Sequence, residues 1–236
     1  MDERLKNIAE NLDTLAIGPD EPFKFHCDMC GKCCINRDDI LLNPRDIYNI
    51  AKELQMRPAE VFKAYCEAYI GDNSRMPIAR IKPRGSIKRC PLLRDRKCSV
   101  HKTKPTVCAM FPLGRCVQMD AKNPGSQPDD SIIYFFNDPG CGDVSETHTV
   151  REWLNQFGLP LNDEFFIAWT HIIAELGQIF AKIEKVLSKD KMSEIWNFAF
   201  IKLYLDYNMD QDFQPQFEKN AGEIHSVMRM LLTGKK

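Results

Sequence analysis

Four cysteines fall within eight residues near the start of the chain, in the run Cys27–Cys34 with the sequence CDMCGKCC. Two-residue gaps let successive thiolates turn inward around one centre, and Gly31 permits the backbone conformations that a tight metal loop requires. Because a bound metal supplies folding free energy directly, such a segment needs no continuous apolar pattern to be ordered. The run therefore predicts a loop that is organised by metal.

The rest of the composition decides how these cysteines are interpreted. The chain has 236 residues, of which 44% are apolar and 28% charged, so it can bury a core without disulfides. Its first residues are amphipathic and charged, without an apolar core of signal-peptide length. No stretch of the sequence approaches the apolar length that a membrane span needs. We expect a soluble, cytoplasmic protein, and in that reducing compartment clustered cysteines bind metal more often than they form disulfides.

The net charge of −1 gives no reason to expect nucleic acid or an anionic membrane as the main partner. The sequence therefore predicts no nucleic-acid partner and no membrane partner. It does not identify a redox or protein partner. The basic stretch Arg80–Arg89 is interpreted as a solvated face.

A second group of cysteines follows in a region rich in proline: Cys90, Cys98, Cys108 and Cys141. Pro91, next to Cys90, restricts the backbone but cannot donate an amide hydrogen bond to sulfur, so such bonds must come from other residues. Three thiolates at C-x2-C-x2-C spacing in the first run resemble the triple that bacterial ferredoxins use on a cubane. Structural zinc sites usually draw two ligands from each of two separated knuckles. The spacing favours iron–sulfur over zinc and leaves zinc as the alternative.

Together the first run, the Cys90-Pro-Leu-Leu step, the Cys98 to Cys108-x-x-Phe-Pro block and the Cys141-Gly step resemble the CxxCxxCC cysteine-cluster family (YkgJ-type). The resemblance covers about residues 25–155, and the family is generally described as zinc- or iron-chelating. Flagellin lysine N-methylases are similar in this cysteine pattern, which implies an iron–sulfur cluster for part of the group. Two departures are His101, where tyrosine is common, and Lys104, where arginine is common. His101 is therefore an alternative nitrogen ligand, which the family pattern does not imply.

The resemblance implies one set of eight ligands, the same for cofactor and metal: Cys27, Cys30, Cys33, Cys34, Cys90, Cys98, Cys108 and Cys141. Since a [4Fe–4S] cluster takes four thiolates, eight can hold two clusters, or one cluster and a second metal. Cys33 and Cys34 need not serve the same centre. Cys66, in a helical context, is interpreted as an idle thiol, and Cys116 is left open. His26 is interpreted as an exposed loop histidine.

Hydrophobic periodicity predicts an α+β protein that is mostly helical. A cysteine-rich, loop-heavy metal domain is expected to pack against a helical carboxy-terminal segment, with bounds 1–20 for an N-terminal helix, 21–150 for the metal domain and 151–236 for the helical segment. Helices are predicted to begin at Asn43-Pro44, at Pro58 and after the capping box Thr149–Glu152. Apolar spacing extends a longer helix from Phe165 to Val186, followed by helices over 195–205 and 217–232. Strands are predicted at 78–81 and 132–136, and a polar loop at 122–131.

The chain lacks a phosphate loop, a dinucleotide-binding turn, a metalloprotease helix and a nucleophile elbow. The C-x3-C-x2-C spacing of radical S-adenosylmethionine enzymes is also missing. Whether the chain is an enzyme therefore stays open. Three hypotheses remain: an iron–sulfur protein that carries electrons or senses redox state, a methyltransferase-like enzyme with a structural cluster, and a structural zinc protein.

Overall fold

The computed structural model describes residue 8 and residues 10–118 and 132–234. The fold is α+β and mostly helical, as predicted. The α-helices of the described residues are α1 (Leu12–Leu15), α2 (Pro44–Leu54), α3 (Pro58–Tyr65), α4 (Thr106–Met110), α5 (Val150–Asn155), α6 (Glu164–Ile183), α7 (Lys189–Phe200) and α8 (Phe213–Thr233). A π-helical segment, Ile201–Leu205, continues α7.

The strands are short and form four small antiparallel sheets among the described residues. They are β1 (Ala16–Ile17), β2 (Pro22–His26), β3 (Leu41–Leu42), β4 (Cys66–Ile70), β5 (Pro77–Ile81), β6 (Leu93–Arg94), β7 (Lys97–Cys98), β8 (Leu113–Val117), β9 (Ile132–Phe136) and β10 (Asp143–Thr149). Their order is β1-β9-β8, β10-β2, β3-β5-β4 and β6-β7.

Helix starts follow the capping residues. The Asn43 side chain accepts a hydrogen bond from the Asp46 amide at 2.8 Å, and the Asp46 carboxylate accepts one from the Asn43 amide at 3.1 Å. Thr149 and Glu152 form the same reciprocal pair at the start of α5. Each pair satisfies two amides that a helix terminus otherwise leaves without a partner. Both predicted helix starts are confirmed.

A first core joins the sheet β3-β5-β4 and helices α2 and α3 to the carboxy-terminal helices. Ile47, Ile50 and Val61 are fully buried on the amino-terminal side, and Phe180 and Ile224 are fully buried on the carboxy-terminal side. The apolar stripe of α6 therefore packs a core, as its spacing indicated. The helical segment contacts the cysteine-bearing region directly through this core.

A second, smaller core lies between β2, β8, β9 and α5. Phe25 contacts Trp153 edge-on, with ring centroids 5.7 Å apart, and the Trp153 indole nitrogen donates to the Met110 carbonyl at 3.1 Å. This core packs against the strand from which the first cysteine run emerges and against the end of α4. The cysteine-bearing segments thus lie between the two cores.

Asp163 joins the two cores. Its carboxylate is 1% exposed and accepts from both Arg45 Nη atoms, at 3.0 and 2.5 Å, and from Arg115 Nη2 at 2.9 Å. Burial opposes ionisation of Asp163, but the two guanidinium groups outweigh it and hold its pKa below the usual range. Because Arg45 lies on α2 and Arg115 on β8, one carboxylate fixes both cores to the start of α6.

Three sequence predictions need correction at their ends. The amino-terminal helix is predicted over residues 1–20, but Ala16 and Ile17 instead pair with Phe135 and Tyr134 of β9. Long-range sheet pairing overrides local periodicity there. Val186 lies three residues beyond the end of α6 and is 76% exposed, so it packs no core. The helix predicted over 195–205 is α-helical to Phe200 and π-helical beyond it.

The other predicted starts, at Pro58 and at strands β5 and β9, are confirmed. Residues 1–7 of the predicted amino-terminal helix and the predicted loop at 122–131 lie outside the described residues. No helix among those described combines the length and the apolar character that a membrane span requires. The domain bounds stay a prediction.

We predict that Asp163→Asn lowers the free energy of unfolding by about 3 kcal/mol, because it leaves two guanidinium groups without their counter-charge in a buried site. Urea unfolding of the purified chain measures this. Asp20→Asn is the matched control, since it breaks an exposed arginine pair with Arg151 and should cost less than about 1 kcal/mol. Equal losses for the two variants would contradict the joining role of Asp163.

Candidate metal centre

The first cysteine run leaves β2 immediately after His26 and turns back on itself. Met29 and Gly31 have positive φ values of 51° and 75°, and residues 32–34 form a single 3₁₀ turn. The Cys34 amide donates to the Gly31 carbonyl at 2.9 Å, which closes this turn. Gly31 therefore supplies the left-handed residue that the spacing predicted for a tight loop.

The second group of cysteines is attached to the first by the backbone. The Cys90 amide donates to the Cys34 carbonyl at 2.8 Å, and the Asn36 amide donates to the Ile87 carbonyl at 2.9 Å. Cys98 ends the hairpin β6-β7, in which it lies opposite Leu93. Residues 51 and 56 positions apart in the chain are thus held beside one another.

Cys108 is positioned by a buried carboxylate. Asp46, which caps α2, accepts from the Thr106 amide at 2.9 Å and from the Thr106 hydroxyl at 2.6 Å. Thr106 begins α4, and Cys108 follows two residues later. The same side chain therefore starts α2 and fixes the short helix that carries Cys108.

Five thiols form what we call the inner group: Cys33, Cys34, Cys90, Cys98 and Cys108. Burial raises the pKa of the Cys108 thiol, and repulsion from Cys90, Cys33 and Cys98 raises it further. The pKa of Cys98 is raised by burial and by Cys33. Such mutual effects place these thiols within electrostatic range of one another.

Cys33 interacts electrostatically with the other thiols of the inner group. Its Sγ lies 3.9 Å from Cys34 Sγ, and the hydrogen bond from the Cys34 thiol lowers the pKa of Cys33 to about 6, aided by Lys104 and Arg37. The same bond raises the pKa of Cys34. A thiolate at Cys33 is therefore the form that the surrounding charges favour.

The remaining predicted ligands form an outer group: Cys27, Cys30 and Cys141. Strand β10 pairs with β2 so that Asp143 lies opposite His26, which brings Cys141 beside the start of the first run. Burial raises the pKa of Cys141, and Cys30, Cys33 and Cys27 raise it further. Cys33 thus lies within range of both groups.

Backbone amides point at two of the sulfurs. Leu92 and Leu93 donate to the Cys90 sulfur, and Val100 donates to the Cys98 sulfur, each lowering a pKa that burial raises. These amides lie two and three residues after the cysteine, beyond Pro91, which has no amide hydrogen to give. Hydrogen bonds of this kind stabilise a thiolate and orient it toward a metal.

The donor set fits a soft metal. All ten cysteines are free thiols, and the inner group contains sulfur donors from three separate segments. Within the described ranges, no three or more His, Cys, Asp or Glu side chains are arranged closely enough to form a metal site as they stand. The thiols lie in one region but are not close enough together to bind one metal, so binding requires rotation of their side chains. Thiolates of this kind select zinc, copper(I) or iron–sulfur clusters.

Four other candidates are not members of these groups. Cys66 is predicted in a helical context but begins β4, where burial and repulsion from Cys90 raise its pKa to about 12. Cys116 lies on β8, and burial raises its pKa with no thiol among the causes. His101 contacts the Phe157 ring. The prediction of His26 as an exposed loop residue is wrong, because His26 is the half-buried last residue of β2 and its Nδ1 lies 3.0 Å from the Glu146 carboxylate.

Sequence reasoning missed the cations and the amides that serve the site. Arg37 and Lys104 lie near Cys33, and Leu92 and Val100 donate to sulfur. A signal for the Cys90 amides was present, because Pro91 has no amide hydrogen to give and bonds to that sulfur must come from other residues. Arg37 has no such signal, since its approach depends on the fold of the first run.

Residues 26–128 match the model of the CxxCxxCC family, which carries the description "Putative zinc- or iron-chelating domain". The predicted resemblance is confirmed, although the match ends before Cys141. No curated protein and no solved structure matches the chain significantly. The family description supports metal binding through cysteines, and it leaves iron and zinc both open.

Gly142 explains the glycine of the Cys141-Gly step. A Cβ atom there would lie 2.2 Å from the His26 carbonyl oxygen, and φ is +72°. Gly140 also has positive φ, at +61°, but a Cβ on it meets nothing within 4 Å. Only Gly142 therefore combines strain with a close approach to the strand that precedes Cys27.

We predict that Gly142→Ala destabilises the chain by about 1–3 kcal/mol more than Gly140→Ala, because both variants carry the positive-φ strain and only the first also clashes. Thermal or urea unfolding of the two variants measures the difference. A similar loss for both would mean that Cys141 does not depend on this contact.

Proposed function

Since residues 26–128 match the model of the CxxCxxCC family, we propose that the chain coordinates iron–sulfur clusters, of the [4Fe–4S] type, through its eight predicted cysteine ligands and acts in redox chemistry. The observation that carries the proposal is the inner group, in which five thiols from three segments lie within electrostatic range. A site built only from thiolates is typical of iron–sulfur proteins. The proposal includes a reducing compartment, where such thiols stay free.

We propose one division of the eight cysteines into two sets of four. Cys90, Cys98 and Cys108 need one further thiolate, and Cys27, Cys30 and Cys141 need another. Cys90 and Cys108 raise the pKa of Cys34, whereas Cys33 is the member of the inner group that also raises the pKa of Cys141. We therefore assign Cys34 to the inner centre and Cys33 to the outer one. The side chains of adjacent residues would then serve different centres.

The chain's own residues account for the charge of such a site. Amides of Leu92, Leu93 and Val100 hold two thiolates, while Lys104 and Arg37 place positive charge near Cys33. A bound cluster would supply reversible one-electron transfer. These hydrogen bonds and cations would set its potential.

A cavity beside the outer group favours an enzymatic role as the second candidate. It has a volume of about 660 Å³ and is lined by Cys141 together with Phe25, Phe136, Lys24 and Asp143. A concave site of this size next to a metal ligand is where a small substrate would bind. Calorimetric titration with S-adenosylmethionine tests the methyltransferase-like form of this candidate, and a binding signal would support it over an electron carrier.

We predict that anaerobically purified protein is brown, with a broad band near the ~400 nm region expected of thiolate-to-iron charge transfer. Iron and acid-labile sulfide should be equal in amount, with zinc well below both. A colourless preparation that holds zinc tightly would replace the cluster with a structural zinc site, the alternative that the family description also allows.

We predict that Cys108→Ser and Cys30→Ala each remove about half of the iron, because a cubane needs four thiolates and each variant disables one centre. Cys116→Ser is the matched control and should keep the full iron content, since no other thiol contributes to its pKa. Iron and sulfide per chain are measured on all three. Complete loss in either single variant would mean one shared centre, and full retention in Cys30→Ala would exclude that ligand.

A further inference from the structure

One face of the chain carries a concentration of positive charge that metal binding does not use. Residues 82–104 contain nine lysines and arginines and one acidic residue, Asp95, although the whole chain has a net charge of −1. Eight of the nine cations are exposed. The remainder of the chain carries a net negative charge, so positive and negative charge are unevenly distributed along the chain.

A cleft of about 770 Å³ lies within this face. Its lining includes Arg84, Arg89 and Arg94, with Cys90 at one side and Asp95 as the only carboxylate. Among the described residues these three guanidinium groups form no ion pair, whereas neighbouring Arg80 and Lys88 pair with Glu67 and Asp38. Positive charge in the cleft is therefore uncompensated apart from Asp95.

Two of the arginines are held in place. The Arg84 and Arg89 backbones exchange two hydrogen bonds of 2.8 Å, so residues 84–89 form a small hairpin, which we call the arginine hairpin. Arg84 Nη2 donates to the Ala64 carbonyl at 3.1 Å, and Arg89 Nη2 donates to the Leu93 carbonyl at 2.9 Å. Side chains that are already ordered lose less entropy when a partner binds them.

Neutralisation of the thiolates does not explain these arginines. The cations with the largest effects on the inner thiols are Lys104 and Arg37, and no cation is among the main causes of the Cys90 shift. Arg84, Arg89 and Arg94 lie at the surface above that group. Their charge is directed at solvent or at a partner.

We propose that the arginine hairpin and its cleft are the docking surface for a protein partner with an acidic surface. Ile87, at the hairpin, is 52% exposed and lines the same cleft as the three arginines. An exposed apolar residue beside arginines is typical of a protein interface, whose centre is apolar and whose arginines bind carboxylates through paired hydrogen bonds. Because this surface is positively charged, the matching surface of the partner is negatively charged.

Nucleic acid is the other polyanion that a basic face could bind, and the sequence argues against it. Tyr65 is the one aromatic residue that lines the cleft, and residues 82–104 contain no Phe, Tyr or Trp. A strand of nucleic acid therefore lacks the series of rings on which successive bases stack. The positive groups also surround a cleft rather than follow a continuous groove. An acidic polypeptide fits this shape and this residue content better.

The surface lies next to the proposed ligands. Ile87 accepts from the Asn36 amide, and Cys90, which follows the hairpin, donates to Cys34. A partner on the hairpin would therefore lie a few residues from both cysteine groups. Docking depends only on the exposed cations and Ile87, so it stands independently of which metal is bound.

The test is fluorescence anisotropy with the full-length, metal-loaded chain and a fluorescein-labelled peptide of glutamates with two central leucines. The charge-reversal variant R84E/R89E/R94E should weaken binding by about tenfold or more, and binding should fall steeply with added salt. The variant K185E/K189E/K191E is the matched control, because it makes the same change of net charge at three exposed lysines elsewhere. It should bind the peptide as the unmodified chain does.

Ile87→Ser separates docking from simple charge attraction. It should weaken the leucine-containing peptide several-fold and leave a leucine-free glutamate peptide unaffected. Equal weakening by both charge-reversal variants would overturn the proposal, as would the absence of peptide binding. Tighter arginine-dependent binding of a single-stranded oligonucleotide of equal charge would replace the protein partner with nucleic acid. Metal content on each sample reports separately on the proposed function.

Discussion

Crowded thiolates repel one another, and the arrangement of this chain around the cysteines follows from that constraint. Burial and mutual repulsion raise the pKa of Cys108, and burial raises that of Cys90 as well. Three means of relief are built into the chain: amides that turn back onto sulfur, cations beside Cys33, and a thiol–thiol hydrogen bond between Cys33 and Cys34. A bound metal cation would further reduce the repulsion among the thiolates.

Two buried carboxylates give this charged region a rigid frame. Asp46 connects the start of α2 to the helix that carries Cys108, and Asp163 connects both cores to the start of α6. Each carboxylate satisfies its oxygens with several donors, as a buried charge must. Polar contacts locate the short helix that carries Cys108, whereas sheet pairing locates Cys98 and Cys141.

Local signals predicted those parts of the structure that depend on neighbouring residues. Asn43, Pro44 and Thr149 identified helix starts because a cap is satisfied within one turn. The pairing of Ala16 with Phe135 and the approach of Arg115 to Asp163 depend on residues far apart in the chain, and no local pattern carries them. The cysteine spacing predicted a metal loop at Gly31. It could not divide the thiols into inner and outer groups, since that division follows from how β2, β10 and α4 are packed.

The sequence order of the cysteines has a consequence for biosynthesis. The proposed inner centre takes thiols from residue 34 to residue 108, and the outer one needs residue 141. The first core is closed only by helices that end at residue 233. During translation the early cysteines therefore emerge long before their partners and before the core that shelters them. Metal insertion must follow synthesis of most of the chain, and until then the nascent thiols depend on a reducing environment to stay unpaired.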